Sequence, residues 1–287
     1  MRIKIEDIVD RHKGTPAIVA AHGPSINGYK QKIIYNQKNK NWKRFSVNNW
    51  YNVFDHPPDY WVLSSTFYTI RRLHSIINKY RIPVFYSDDG DFTNKEWIEK
   101  TLLSEFLVYD QRHWQGKTCL EILTTFKKHY EKTRNFHFRD FGNNEVMWYL
   151  PRNRGNYGHS SHSTECCKQN TPSRRTIQES LLALSGHDQH YSTGDTVTLH
   201  AIAFAIIMGC NPIYISGMDL DYEKGHAALG KVEPGAAAEG KHSWHDCSAN
   251  LLNDLQILQD SATKRGISII NLKENAWYKI FQEGKLP

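Results

Sequence analysis

Four short stretches of this 287-residue chain carry residue types suited to handling a charged, hydroxyl-rich ligand. His22-Gly23-Pro24-Ser25 follows directly on the apolar run Pro16 to Ala21. A glycine at the carboxyl end of a buried strand lets backbone approach a phosphate or ribose closely, with N–H groups and the Ser25 hydroxyl as donors. The same four residues also make an ordinary strand-to-loop turn. Asn48-Asn49 ends a second apolar run, and side-chain amides there offer both donors and acceptors to a base or ribose. Ser192-Thr193-Gly194-Asp195 enters a helix, where it serves as an N-cap or as a further set of donors. In His242-Ser243-Trp244-His245, two imidazoles can exchange protons near neutral pH. On residue type alone, a solvated surface suits that last pair as well.

Metal chemistry has three candidate groups. His159, His162, Cys166 and Cys167 share one stretch, and His242, His245 and Cys247 share another. Neither has the C-x2-C spacing of a structural zinc site, and adjacent cysteines chelate poorly. Asp219 and Asp221 could hold Mg²⁺ beside a nucleotide. The chain contains neither G-x-G-x-x-G nor G-x-x-x-x-G-K-[ST], which argues against a dinucleotide fingerprint and P-loop chemistry.

Composition narrows the class. Lys and Arg number 36 against 30 Asp and Glu, giving a net charge of +6, enough to favour a phosphorylated ligand but short of a nucleic-acid footprint. Lys30, Lys32, Lys38, Lys40, Lys43 and Arg44 are interleaved with Tyr29, Tyr35 and Trp42, a pattern read as a solvated basic loop or a polyanion contact. Five cysteines at irregular spacing imply reduced thiols. The longest apolar run, Ala201 to Cys210, is too short to span a bilayer, and Met1 to Lys13 lacks a leader's apolar core. The expectation is a cytoplasmic protein.

The elements that must position these residues alternate. Strands are expected at Pro16 to Ala21, Arg44 to Asn48, Tyr60 to Ser64, Pro83 to Tyr86, Phe106 to Tyr109, Ile213 to Ser216 and Ile267 to Leu272. Helices are expected at Phe67 to Tyr80, Thr118 to Lys132, Thr176 to Leu184, Thr196 to Met208 and Ser248 to Arg265. Pro151 to Arg175, nearly free of aliphatic residues, reads as a long exposed loop. The implied fold class is α/β: a Rossmann-like, mostly parallel open sheet with helices on both faces. One domain over 1–287 is expected, with an inserted lid or acceptor-binding region near 110–190.

The order of motifs resembles a known family. G-P-S after the first strand, Asn after the second, the S-T-G-D helix entry, P-I-Y-I-S-G-M-D-L-D-Y and a late His cluster are similar to the bacterial CMP-sialic-acid-dependent sialyltransferases. They are also similar to the motility-associated-factor proteins and the archaeal pterin pyrophosphokinases, which share a related domain. The resemblance covers roughly 16–65 and 191–271. It implies a donor-nucleotide site formed by His22, Gly23, Pro24, Ser25, Asn48, Ser65, Thr193, Gly194, Asp219 and Tyr222. It further implies His245 as general base on an acceptor hydroxyl, with His242 where the family's Tyr helps neutralise the leaving phosphate.

The implied enzyme is a metal-independent glycosyltransferase without a cofactor, its partners a nucleotide-sugar donor and a glycan, lipid-linked or other hydroxyl acceptor. An oligomer is compatible with this reading, and nucleic acid is not favoured as a partner. Three departures leave the sugar and nucleotide open: His22 replaces an Asn, Ser65 replaces a second Asn, and His190 lies near an expected Arg. Two alternatives stand beside it, an ATP- and Mg²⁺-dependent pyrophosphokinase of the pterin type and a non-enzymatic nucleotide- or nucleic-acid-binding module.

Overall fold

Four-residue apolar runs with no helical period, each ending in turn residues, build the centre of the molecule. In the computed structural model, which describes residues 1–63, 67–87, 100–109, 137–140, 146–149, 161–162, 197–220 and 248–287, these runs, joined by strands of other lengths, form a nine-stranded sheet. Its strands are β1 (Arg2–Ile3), β2 (Ala17–Ala20), β3 (Lys43–Val47), β4 (Tyr60–Leu63), β5 (Val84–Ser87) and β6 (Phe106–Tyr109), then β10 (Ile213–Ser216), β11 (Ile269–Asn271) and β12 (Gln282–Glu283). They lie in the order β1-β6-β5-β4-β3-β2-β10-β11-β12, and every pairing is parallel. Strands buried on both faces need such continuous apolar sequence.

Alternation of side chains sends each strand's residues into two cores. On one face Ala17, Val19, Phe45, Val47, Ile213 and Ile215 meet α3 (Val197–Ile207) and α4 (Ser248–Lys264). On the other, Ile18, Ala20, Trp61, Leu63 and Tyr214 meet Ile33 of α1 (Lys30–Lys40) and Leu73 and Ile77 of α2 (Phe67–Tyr80). Every residue of α3 is buried, Thr198 and His200 included, so it presents no face to solvent. Gly209 ends it at φ +73°, and a Cβ there would lie 2.6 Å from Asp10 Oδ1. The Asn211–Pro212 peptide that leads into β10 is cis.

The α/β parallel architecture with helices on both faces is therefore as expected, and its main sheet is wholly parallel. Three features differ from the sequence reading. The basic stretch beginning at Lys30 is the helix α1, ended by Asn41 in the left-handed region (φ 55°). Arg44 does not belong to a basic surface: it is fully buried, donates Nη2–H to the His56 carbonyl and stacks 4.3 Å from the Phe54 ring. Burial lowers its guanidinium to about 9, against the attraction of Asp59. Within the expected insertion, β7 (His137–Asp140), β8 (Val146–Tyr149) and β9 (Ser161–His162) form an antiparallel three-stranded sheet, so strand β9 interrupts the stretch read as loop. The helices expected at Thr118 to Lys132 and Thr176 to Leu184 lie outside the described residues.

Candidate functional site

Successive strands β2 to β6 step outward from β2 in one direction, while β10 to β12 step outward in the other. The direction of winding reverses between β2 and β10, and in open parallel sheets the ligand crevice lies at such a reversal, beyond the carboxyl ends of the strands. That is where the turn at 22–25 and the loop at 217–220 meet.

The two loops are joined residue by residue. The strand ladder continues past its formal end: Ala21 N–H donates to the Ser216 carbonyl at 2.8 Å, and Gly23 N–H to the Gly217 carbonyl at 2.6 Å. Gly217 has φ +77°, and a Cβ on it would approach the Ala21 carbonyl oxygen to 2.8 Å. Gly23 has an ordinary φ of −66°, so conformation does not demand glycine there. Space does. A Cβ at Gly23 would stand 1.9 Å from Asp219 Oδ2 and 2.5 Å from the Gly217 carbonyl oxygen.

Asp219 is 3% exposed and both of its oxygens are engaged. Oδ2 accepts the Ser25 backbone N–H at 2.9 Å, and Oδ1 pairs with Lys273 Nζ at 3.1 Å. A buried carboxylate needs this combination of an N–H donor and a counter-charge. Pro24 sits at the first position of the 3-10 turn Pro24–Gly28, where its missing N–H costs nothing. The Ser25 N–H that would face an anion is thus already held by the protein. The Ser25 and Ser216 hydroxyls are buried without a protein hydrogen-bond partner among the described residues.

A second strap holds the far side. Asn271 Nδ2 donates to Tyr278 Oη at 3.2 Å, Tyr278 O–H donates to the Met218 carbonyl, and Lys273 N–H donates to Asn271 Oδ1 at 3.2 Å. Burial pushes the Tyr278 phenol up from its ordinary value, which keeps it a donor. Lys273 was not singled out in the sequence, although the pairing of Ile215 with Asn271 puts Asp219 and Lys273 just beyond the ends of adjacent strands.

Beside β2, Asn48 follows β3 with φ 38°; its N–H donates to the Val62 carbonyl and its carbonyl accepts Trp61 Nε1–H at 2.7 Å. Asn49 Oδ1 accepts the Tyr51 hydroxyl at 3.0 Å, and Trp50 meets Trp61 edge-on at 5.8 Å. His22 is buried next to Gly23. Of the expected site, the structure brings Gly23, Pro24, Ser25 and Asp219 together, with His22 in the same turn and Asn48 at the end of the strand beside β2. Ser65, Thr193, Gly194, Tyr222, His242 and His245 lie outside the described residues, as do Asp221, His159, Cys166, Cys167 and Cys247. Among the described residues no three His, Cys, Asp or Glu side chains gather to hold a metal ion. Nor, among them, is any helix long and apolar enough to cross a membrane.

No protein-family model matches the chain, and neither does any curated protein. Among solved structures, the chain is similar to the sialyltransferase CstII from Campylobacter jejuni in complex with a substrate analogue, CMP-3FNeuAc. That similarity has a TM-score of 0.41 and 15% sequence identity, over 95% of this chain and 85% of that one.

Proposed function

We propose that this chain is a metal-independent glycosyltransferase that takes a nucleotide-activated sugar of the CMP-sugar kind and transfers the sugar to a hydroxyl acceptor. The observation that carries the reading is the crevice between β2 and β10. There the G-P-S turn is held against Asp219, itself paired with Lys273, with an asparagine at the end of the next strand. Donor recognition falls to the 22–25 turn, Asn48, Ser65, Thr193, Gly194 and Tyr222. Asp219 acts as the clamp that sets the turn's shape.

The chemistry follows from the motif. The acceptor hydroxyl gives its proton to His245, and its oxygen forms a bond to the anomeric carbon as the bond from that carbon to the nucleotide phosphate breaks. His242 neutralises the departing phosphate, so a metal is not required. In the competing pyrophosphokinase reading Asp219 and Asp221 would hold Mg²⁺. Asp219 already spends Oδ1 on the Lys273 ammonium at 3.1 Å and Oδ2 on the Ser25 N–H, which favours the transferase.

Thermal-shift measurements with CMP, UMP, GMP and ATP, each with and without Mg²⁺, test the reading. CMP at about 100 times its dissociation constant should stabilise the protein by roughly 2.7 kcal/mol whether or not Mg²⁺ is present. Stabilisation by ATP alone, and only with Mg²⁺, would overturn it. His245→Ala should lower turnover by about 10² to 10⁴ and leave nucleotide binding unchanged.

A further inference from the structure

The edge of the sheet opposite the crevice carries a second surface. All strands of the nine-stranded sheet are parallel, so α1, which leads from β2 to β3, and α2, which leads from β4 to β5, both end at the amino edge, on the same face of the sheet. The segment 30–43 holds five lysines and no acidic residue, against a net charge of +6 for the whole chain; Lys30 and Lys32 open α1 at its crevice end, while Lys38, Lys40 and Lys43 lie toward the amino edge. Elsewhere, basic and acidic residues nearly cancel. Two of these lysines, Lys38 and Lys40, lie in the last turn of α1 beside Tyr35, which is 55% exposed; Lys40 Nζ is 5.8 Å from the Tyr35 ring centroid.

The end of α2 repeats this pairing. Tyr80 is 40% exposed with Lys79 Nζ 4.9 Å from its ring, and Arg81 follows. Beside it, Leu103, whose N–H donates to Asn78 Oδ1, is 68% exposed. Large apolar side chains with lysines around them have little to gain from water.

From this arrangement we infer that the amino edge, at the ends of α1 and α2, docks on an anionic phospholipid surface. Lysines attract the headgroup layer and tyrosines seat at the interface with one apolar and one polar end. Leu103 supplies the aliphatic contact that a glycan or nucleic acid would leave unused. A second copy meeting it edge to edge would bring the same positive charge and be repelled. The inference does not rest on the glycosyltransferase reading.

Co-sedimentation of the full chain with vesicles tests it. Phosphatidylcholine vesicles carrying about a quarter phosphatidylglycerol should bind the protein, phosphatidylcholine alone should not, and 1 M salt, where the Debye length is about 3 Å, should release it. Lys38→Gln with Lys40→Gln should weaken partitioning about 25-fold, since each lysine at an anionic surface is worth about fivefold. Leu103→Ser should weaken it further. Lys264→Gln, at the end of α4 on the other face, should leave it unchanged. Unaltered melting temperatures will show that the variants fold. Equal binding to neutral vesicles, indifference to the double lysine change, or tighter binding to heparin or a single-stranded oligonucleotide than to the anionic vesicles would each overturn the inference. So would self-association that Tyr35→Ser abolishes in a protein that ignores vesicles.

Discussion

Gly23→Ala isolates the clamp at the crevice, because the backbone there already has a conformation alanine accepts. The added methyl would fall 1.9 Å from Asp219 Oδ2 and 2.6 Å from its Cγ, far inside contact distance, so the carboxylate has to leave. Its departure breaks the hydrogen bond from Ser25 N–H and the ion pair with Lys273. Overpacking costs about 1–3 kcal/mol and a lost charge-assisted hydrogen bond about 1.5–3, so the expected loss is roughly 3–5 kcal/mol. In a chain of this length that lowers the melting temperature by about 6–10 °C. The assay is thermal unfolding of Gly23→Ala, Asp219→Ala and the double variant. Removing the carboxylate relieves part of the clash, so the double variant should be less destabilised than the sum of the two singles by about 1–3 kcal/mol. Relief is incomplete because the Gly217 carbonyl oxygen, 2.5 Å from the new methyl, is backbone. A Gly23→Ala protein that melts within about 1 °C of the parent, or additive singles, would refute the clamp.

Two further outcomes are expected. Lys273→Gln leaves Asp219 with its N–H partner but no counter-charge; because the lysine is partly exposed, the cost should be about 1–2 kcal/mol, visible as a lower unfolding midpoint in urea with an unchanged slope. His12, whose Nε2 lies 2.6 Å from the Tyr60 hydroxyl, is held below its ordinary value of 6.5 by burial and then by Lys43 and Arg11. The unfolded chain therefore binds the proton first. Stability is full above about pH 6.5 and is lost as pH falls from there toward the depressed folded value. Melting temperatures across that range should fall less steeply for His12→Gln than for the parent, and equal slopes would exclude His12 as a contributor.

The elements most legible in sequence were those whose pattern reports burial directly. IYIS at 213–216 is buried at every position and was located to the residue, as was α2 with its stripe through Leu73 and Ile77. The helix α1 escaped because KQKIIYNQKNK has just two aliphatic residues, adjacent to one another, and buries Asn36 with Ile33 instead of an apolar stripe. Strands β1 and β12 are two residues each, too short for a period to show. At the site, the turn and Asp219 could be named from residue types at strand ends. The partner of Asp219 could not, because Lys273 reaches it through the pairing of β10 with β11, and register across a sheet is fixed by tertiary packing.

The central position of β2 also constrains how the chain can be made. β2 is complete at residue 20, yet β10, its neighbour on one side, ends at residue 216. At about 5–20 residues per second, a ribosome needs roughly 10–40 s to deliver the second after the first. Throughout that interval AIVA presents an apolar, unpaired edge next to β3, the kind of template that recruits foreign strands. Newly synthesised chains are thus most vulnerable to aggregation at the strand on which the crevice is built, and a shield for that edge during synthesis would raise the yield of folded protein.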